Sequence, residues 1–382
     1  MNYPSRSGLD PYDALRGDRI PASFLSYRLV RQALVQLRKR APVDIGGTLG
    51  VRPFTMAKTV GAMLSVAART SESVETPRLL GELRATGGHL GNGSWGYEFD
   101  VQTRWAYYPA GSPNLIATVF VARGLGSAGI VLDEASLSRE LALSSDFLRR
   151  ELLHEGDGPY FRYTLTSDRL VHNANLLGAG LVAMDGALRA DNVAVGLARA
   201  AAQMTISAQR QDGSWPYGEG ASLGWSDNFH TAYNLDGLLQ VWLACGDQGV
   251  RDSLDRGVTH WVGDFFGSDG EPKYYPHKAY PYDIHSAGTA VDVAARLATW
   301  GWDTGDLAER VAQWTERNLV NPRTGETYYQ KHRLWTDRRH FVRWGDAHWA
   351  LGTSSLAMLR ESRRDPLESA VAEASGVVAH AG

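Results

Sequence analysis

Three stretches place an aspartate two or three residues ahead of a histidine: Asp227-Asn228-Phe229-His230-Thr231, Asp283-Ile284-His285-Ser286 and Asp346-Ala347-His348-Trp349. A fourth, Val171-His172-Asn173-Ala174-Asn175, sets a histidine and two amides at the corresponding point. Aspartate is a favoured helix N-cap, so each Asp has a purely structural reading beside a catalytic one. Histidine has no such preference, and a helix N-terminus favours its neutral, base-competent form. His230, His285 and His348, with Asp227, Asp346 and Tyr233, are therefore the candidate catalytic set, suited to proton transfer near neutral pH. His172, Asn175 and Asp283 join them as candidate substrate-binding residues. The spacings lack a local metal signature such as His-Glu-x-x-His, and neither a metal nor another cofactor is expected.

Aromatic and basic side chains cluster around these points. Among 12 Trp and 16 Tyr, Trp95, Trp215, Tyr217, Trp225, Tyr274, Tyr329 and Trp344 fall in or beside loops that precede the candidate helices. Flat rings with a polar edge serve sugar faces and polyprenyl chains alike. Lys331, Arg333 and Arg343, set among large aromatics, read as candidate anion-binding groups, and His332 between the first two as a candidate substrate-binding residue.

The positioning elements follow from a repeat. A Gly-aromatic phrase recurs five times, at Gly93-Ser94-Trp95-Gly96-Tyr97, Gly158-Pro159-Tyr160-Phe161, Gly213-Ser214-Trp215-Pro216-Tyr217, Gly270-Glu271-Pro272-Lys273-Tyr274-Tyr275 and Gly325-Glu326-Thr327-Tyr328-Tyr329, at intervals of 55 to 65 residues. Apolar residues at i, i+3, i+4 and i+7 mark about twelve helices in six pairs: 24–40 with 53–69, 76–85 with 113–124, 135–152 with 171–188, 191–209 with 227–245, 249–266 with 283–300, and 305–319 with 345–361. The second member of each pair is apolar around its circumference, as in Ala287-Gly288-Thr289-Ala290-Val291, which marks it as buried. The predicted fold is all-α, an (α/α)6 toroid with short β-like segments in the loops at its mouth. Converging helix N-termini there favour an anionic ligand.

The 382 residues carry 43% hydrophobic and 21% charged side chains and a formal charge of −3, which argues against nucleic acid as a general partner. Residues 1–23 read as an N-terminal extension without an apolar leader, 24–362 as one toroid domain, and 363–382 as a frayed tail. No uninterrupted apolar run of membrane-spanning length occurs. The lone Cys245 lies in an apolar helical run and reads as a small buried hydrophobe, which fits a cytoplasmic location.

Gln209-Arg210-Gln211-Asp212-Gly213-Ser214-Trp215 resembles the repeat motif of terpenoid cyclase and protein prenyltransferase toroids and the turns of six-hairpin sugar enzymes. Together with the three Asp-His stretches, Tyr328-Tyr329-Gln330-Lys331-His332-Arg333 and Arg343-Trp344-Gly345-Asp346, it is similar to a bacterial family of α/α-toroid proteins associated with cell-surface polysaccharide biosynthesis. The resemblance covers about residues 85–360 and implies fold and pathway, with no assigned reaction. The Asp-x-Asp-Asp and Asp-Asp-x-x-Asp strings of terpene cyclases are absent. The expectation is an enzyme acting on an anionic saccharide by histidine proton chemistry, lyase- or epimerase-like. A glycan-binding subunit, a glycoside hydrolase and an atypical terpenoid cyclase remain as alternatives.

Overall fold

The computed structural model describes residues 7–70, 73–103 and 106–377. Its α-helices are α1 Ala22–Leu25, α2 Arg28–Arg40, α3 Gly46–Leu49, α4 Ala57–Arg69, α5 Thr76–Ala85, α6 Leu115–Leu132, α7 Ala135–Phe147, α8 His172–Leu188, α9 Asn192–Ser207, α10 Asn228–Cys245, α11 Gln248–Phe265, α12 Ile284–Thr299, α13 Gly305–Leu319, α14 Ala347–Arg360 and α15 Pro366–Ser375. Helices α4, α6, α8, α10, α12 and α14 form the inner ring of an all-α toroid. Each packs against its two neighbours, and α14 closes on α4. These are the helices whose sequence is apolar on every face, and α8 and α10 are buried along nearly their whole length. Helix α6, 18 residues of mean hydropathy 1.9, is long and apolar enough to cross a membrane by composition, yet 72% of it is buried inside this ring.

Helices α5, α7, α9, α11 and α13 pack around the outside. The recurring phrase has a steric origin at its glycine. All five residues adopt positive φ, from 75° at Gly325 to 136° at Gly158. At three of them a Cβ would meet the backbone of the next outer helix, 2.3 Å from Leu143 O, 2.4 Å from Arg256 O and 2.5 Å from Arg310 C. Only glycine allows that turn and that approach.

The first expected pair is corrected. Helix α2 packs on the 3-10 turn Asp13–Arg16 and the strand Val101–Gln102, and the outer partner of α4 is α5. Buried Arg38 explains the displacement, since it donates to Asp13 at 2.9 Å and pulls α2 towards the mouth. The rest of α2 stays largely exposed, Leu29 and Leu37 included. The N-terminal segment is not a loose extension. Ser7–Gly8 pairs with Phe54–Thr55, and Asp10 pairs with Arg343 while Tyr12 packs on Trp344 at 5.7 Å.

The tail expectation is corrected as well. Asp365 caps α15, accepting from the amides of Leu367 and Glu368, and α15 packs against α6, α8 and α10 to close the base of the ring. Leu367, Val371 and Ala372 supply its buried face. Residues 378–382 lie outside the described residues. Cys245 is half-buried and carries no disulfide.

The expected β-like loop segments are present. Thr336–Asp337, Gln330–Lys331, Lys278–Asp283 and Lys273–Tyr275 form a four-stranded antiparallel sheet, and its longest strand runs directly into α12 at Asp283.

Candidate functional site

The inner-helix N-termini bring the catalytic candidates to one end of the ring. Asp227 caps α10 by accepting from the His230 amide at 3.0 Å. Its carboxylate also lies 2.9 Å from His230 Nδ1, through both oxygens. A carboxylate on Nδ1 fixes the Nδ1–H tautomer and leaves the Nε2 lone pair free. One aspartate thus caps the helix and orients His230. The His230 ring is wedged among Tyr217 at 4.7 Å, Trp225 at 5.7 Å and Phe229 at 3.9 Å. Tyr217 and Trp225 stack on each other at 4.4 Å.

His285 and His348 pack together with centroids 3.8 Å apart and ring planes tilted by 31°. Their contact depends on Gly288, where a Cβ would stand 2.6 Å from the backbone carbon of His348. Tyr233 Oη lies 2.9 Å from His285 Nε2. With the phenol donating, His285 carries its proton on Nδ1, and that nitrogen is buried with no partner among the described residues. Burial drives both imidazoles well below the ordinary histidine range. His285 is pushed further by His348, and His348 by Lys58 and Arg343.

Asp283 caps α12 through the amides of His285 and Ser286 and accepts from Gln330 at 2.7 Å and Trp344 Nε1 at 3.0 Å. Burial pushes its carboxyl up to about 6 in spite of these donors. Trp344 in turn packs on His285 at 4.3 Å, and Tyr274 meets Phe229 edge-on at 5.8 Å.

Several expected site residues lie elsewhere. Asp346 is not a helix cap: its Oδ1 accepts from the Thr327 amide and hydroxyl, and its Oδ2 is taken by His340. A turn of π-helix, Val342–Asp346, replaces the capped start and rotates that carboxylate onto the loop. His172 bonds Thr205 at 3.1 Å, and Asn175 bonds Thr205, Ala201 O and the Phe161 amide, so both face α9. Trp215, donating to Thr205 O, and Trp95, 4% exposed, are core residues. Tyr329 is packed against Phe341 and under Arg339. His332 stacks on Trp335 at 4.3 Å, at the rim. Lys331 is half-buried in the sheet beside Tyr282 and forms no ion pair among the described residues.

Arg343 is corrected from a free anion receptor to the partner of buried Asp10, with its guanidinium over Tyr97 at 5.4 Å. Asp10 belongs to the segment that lies across the mouth, so the protein itself neutralises this cation.

Three functional candidates were not named as site residues from the sequence, although Asn173 stands there as one of the two amides after His172. Asn173 and Asn234 line a cavity of about 10 Å³ with Ser226, Asp227, His230 and Thr231, and the Oδ1 atom of each is buried and unpartnered among the described residues. Such acceptors suit sugar hydroxyls, and the partly open cavity has room for roughly one water. Lys58 is the third: 4% exposed, it occupies the second position of α4, the place that His285 and His348 hold in α12 and α14. Among the described residues no cluster of three or more His, Cys, Asp or Glu could hold a metal.

No protein-family profile and no curated protein sequence matches this chain. Solved structures do. A cellobiose 2-epimerase of Bacillus thermoamylovorans superposes with a TM-score of 0.62 at 10% identity, covering 80% of this chain and 88% of its own. The unsaturated glucuronyl hydrolase of Bacillus sp. GL1 gives 0.61 at 13% identity, covering 81% and 87%. An α-mannanase of Bacteroides thetaiotaomicron gives 0.60 at 13%, covering 80% and 86%. At these identities the likeness establishes the toroid fold.

Proposed function

We propose that this toroid is a carbohydrate-active enzyme that moves a proton at a carbon next to a carbonyl or carboxylate of a saccharide, in the manner of an epimerase or lyase. One observation carries the reading: two histidines at the mouth are bonded through opposite ring nitrogens, His230 through Nδ1 and His285 through Nε2, which suits them to complementary tautomers. Asp227 on Nδ1 makes His230 Nε2 an acceptor, and Tyr233 on Nε2 makes His285 Nδ1–H a donor. His230 removes the proton. The proton then sits on His230 Nε2, which returns it to the carbon or passes it to a leaving oxygen, while His285 donates a hydrogen bond from Nδ1 to the oxygen on which charge develops and His348 packs against it at 3.8 Å. Asn173 and Asn234 accept sugar hydroxyls, while Tyr217 and Trp225 offer a ring face.

Hydrolysis is less well supported, because it needs two available carboxylates. Asp227, Asp283 and Asp346 are committed to His230, to Trp344 with Gln330, and to Thr327 with His340. The similarity to a cellobiose 2-epimerase agrees with proton transfer and extends to this chain only as a fold. The resemblance to polysaccharide-biosynthesis proteins suggests that the saccharide belongs to a cell-surface polymer, and the single cysteine is consistent with a cytoplasmic site of action.

The test follows carbon-bound hydrogen by NMR in D2O with neutral and acidic saccharides. Wild-type protein exchanges one C–H, and His230→Ala slows exchange by about 10³-fold, within the 10²–10⁴ typical of a general base. Full exchange by His230→Ala would overturn the assignment. So would the absence of exchange by the wild type on every sugar.

A further inference from the structure

Lys58 is a buried amine without a counter-ion. Its Nζ lies over the Phe120 ring at 4.3 Å, and among the described residues no carboxylate reaches ion-pair distance of it. Phe120 packs edge-on against Tyr233 at 6.0 Å and His348 at 5.7 Å, which sets the amine beside the proposed proton-transfer residues. The groups that face it electrostatically are Arg343 from the turn before α14, Asp10 from the N-terminal segment, His285 from α12 and His348 from α14. Of these, Asp10 is already engaged by Arg343, which leaves Lys58 as the one unmatched cation of this group. Burial and the Arg343 guanidinium hold its amine well below the usual lysine range.

We infer that Lys58 is the carboxylate-binding residue of the site, and that the substrate is a saccharide bearing a uronic acid. This rests on the proton-transfer reading and names its substrate class. An isolated buried ammonium is costly, and an amine that sheds its proton in the empty site regains it when an anion arrives. A single unmatched positive charge fits a carboxylate better than a phosphate, which carries nearly two charges. Bound there, the carboxylate presents its α-carbon hydrogen to the histidines. Lys58 thus takes over the anion-binding role that Asp10 denies to Arg343.

Titration calorimetry with glucuronate, galacturonate and mannuronate, each against its neutral parent sugar and against glucose 6-phosphate, tests this at pH 7.5. The wild type binds at least one uronate tenfold or more better than the parent sugar. It takes up a fraction of a proton on binding, read from the heat in buffers of different ionisation enthalpy. Lys58→Met loses both the preference and the proton uptake and unfolds at the same temperature or higher, because no ion pair is broken. Lys58→Arg keeps the preference without the uptake. Binding of each uronate no tighter than its parent overturns the inference, as does an unchanged preference in Lys58→Met. Tighter binding of glucose 6-phosphate also overturns it. C–H exchange on neutral sugars alone would overturn the inference while leaving the proton-transfer reading intact.

Discussion

The two ends of the same six-helix ring handle buried charge in opposite ways. At the base, Arg296 donates to Glu368 at 2.7 Å and to Asp236 at 2.7 Å, Arg123 donates to Asp236 at 2.7 Å, and Arg69 joins Asp292 and Asp365 at 2.8 Å each. Gln240 and Trp300 complete Glu368 at 2.8 Å each. The arginines there hold Asp236 and Asp365 below the usual carboxylate range in spite of burial. At the mouth, burial dominates instead: Asp283 and Asp13 rise to about 6, His285 and His348 fall, and polar atoms of His285, Asn173 and Asn234 have no hydrogen-bond partner among the described residues. A network with nearly every group matched is a structural fastening. Groups held out of their preferred state, with vacant bonding capacity, are what a binding or catalytic site requires.

The largest expected effect breaks the base. Glu368→Ala leaves Arg296 without its main partner and undocks α15, costing about 3–5 kcal/mol in chemical denaturation, the usual result of orphaning one side of a buried pair. A loss under about 1 kcal/mol would mean that the base is not a fastening.

A smaller effect comes from the contact that builds the histidine pair. Gly288→Ala sets a Cβ against the His348 backbone and is expected to cost about 1–3 kcal/mol as overpacking. It should also lower C–H exchange by more than the lost folded fraction explains, because His285 and His348 are forced apart. Exchange that tracks the folded fraction alone would detach Gly288 from the chemistry.

The smallest effect is in pH dependence, where the mouth holds groups of both signs and the base carboxylates act in one direction. A histidine depressed in the fold takes up its proton first in the unfolded chain, so stability is lost as pH falls below about 6.5. Asp283 and Asp13 oppose this: with folded values about 6, they favour the native state as pH falls from about 6 towards 4. The depressed base carboxylates weaken the fold only on further acidification, below about 4. His285→Gln with His348→Gln should therefore lose less stability than wild type between pH 7 and 5, by about 1 kcal/mol or more in denaturant midpoints. Equal losses would show that these two histidines are not held neutral in the fold.

Much of the site was legible because the repeat is periodic. Asp227 and Asp283 announced themselves as caps, and His230, His285 and His348 followed at fixed offsets. Lys58 carries the same positional signal but no aspartate precedes it, so it was passed over. Asp346 has the signal without the geometry, because the π-turn rotates it away. His172 and Asn175 sit at the right register and turn outward to Thr205, a choice made by α9. Asp365-Pro366 with Leu367, Val371 and Ala372 on one face is a local signal for α15 that the frayed-tail reading missed, and nothing local says that this face plugs a ring.

The sequence by itself determined the toroid, the inner and outer helices and the end at which the histidine-bearing helix starts gather, since apolar periodicity and the positive-φ glycines are local properties. Only the tertiary structure decided that Asp10 neutralises Arg343, that Tyr233 meets His285 across two helices, and that Lys58 has no ion-pair partner among the described residues. Those pairings join residues 52 to 333 positions apart, and which buried charge finds a counter-ion depends on how the ring closes.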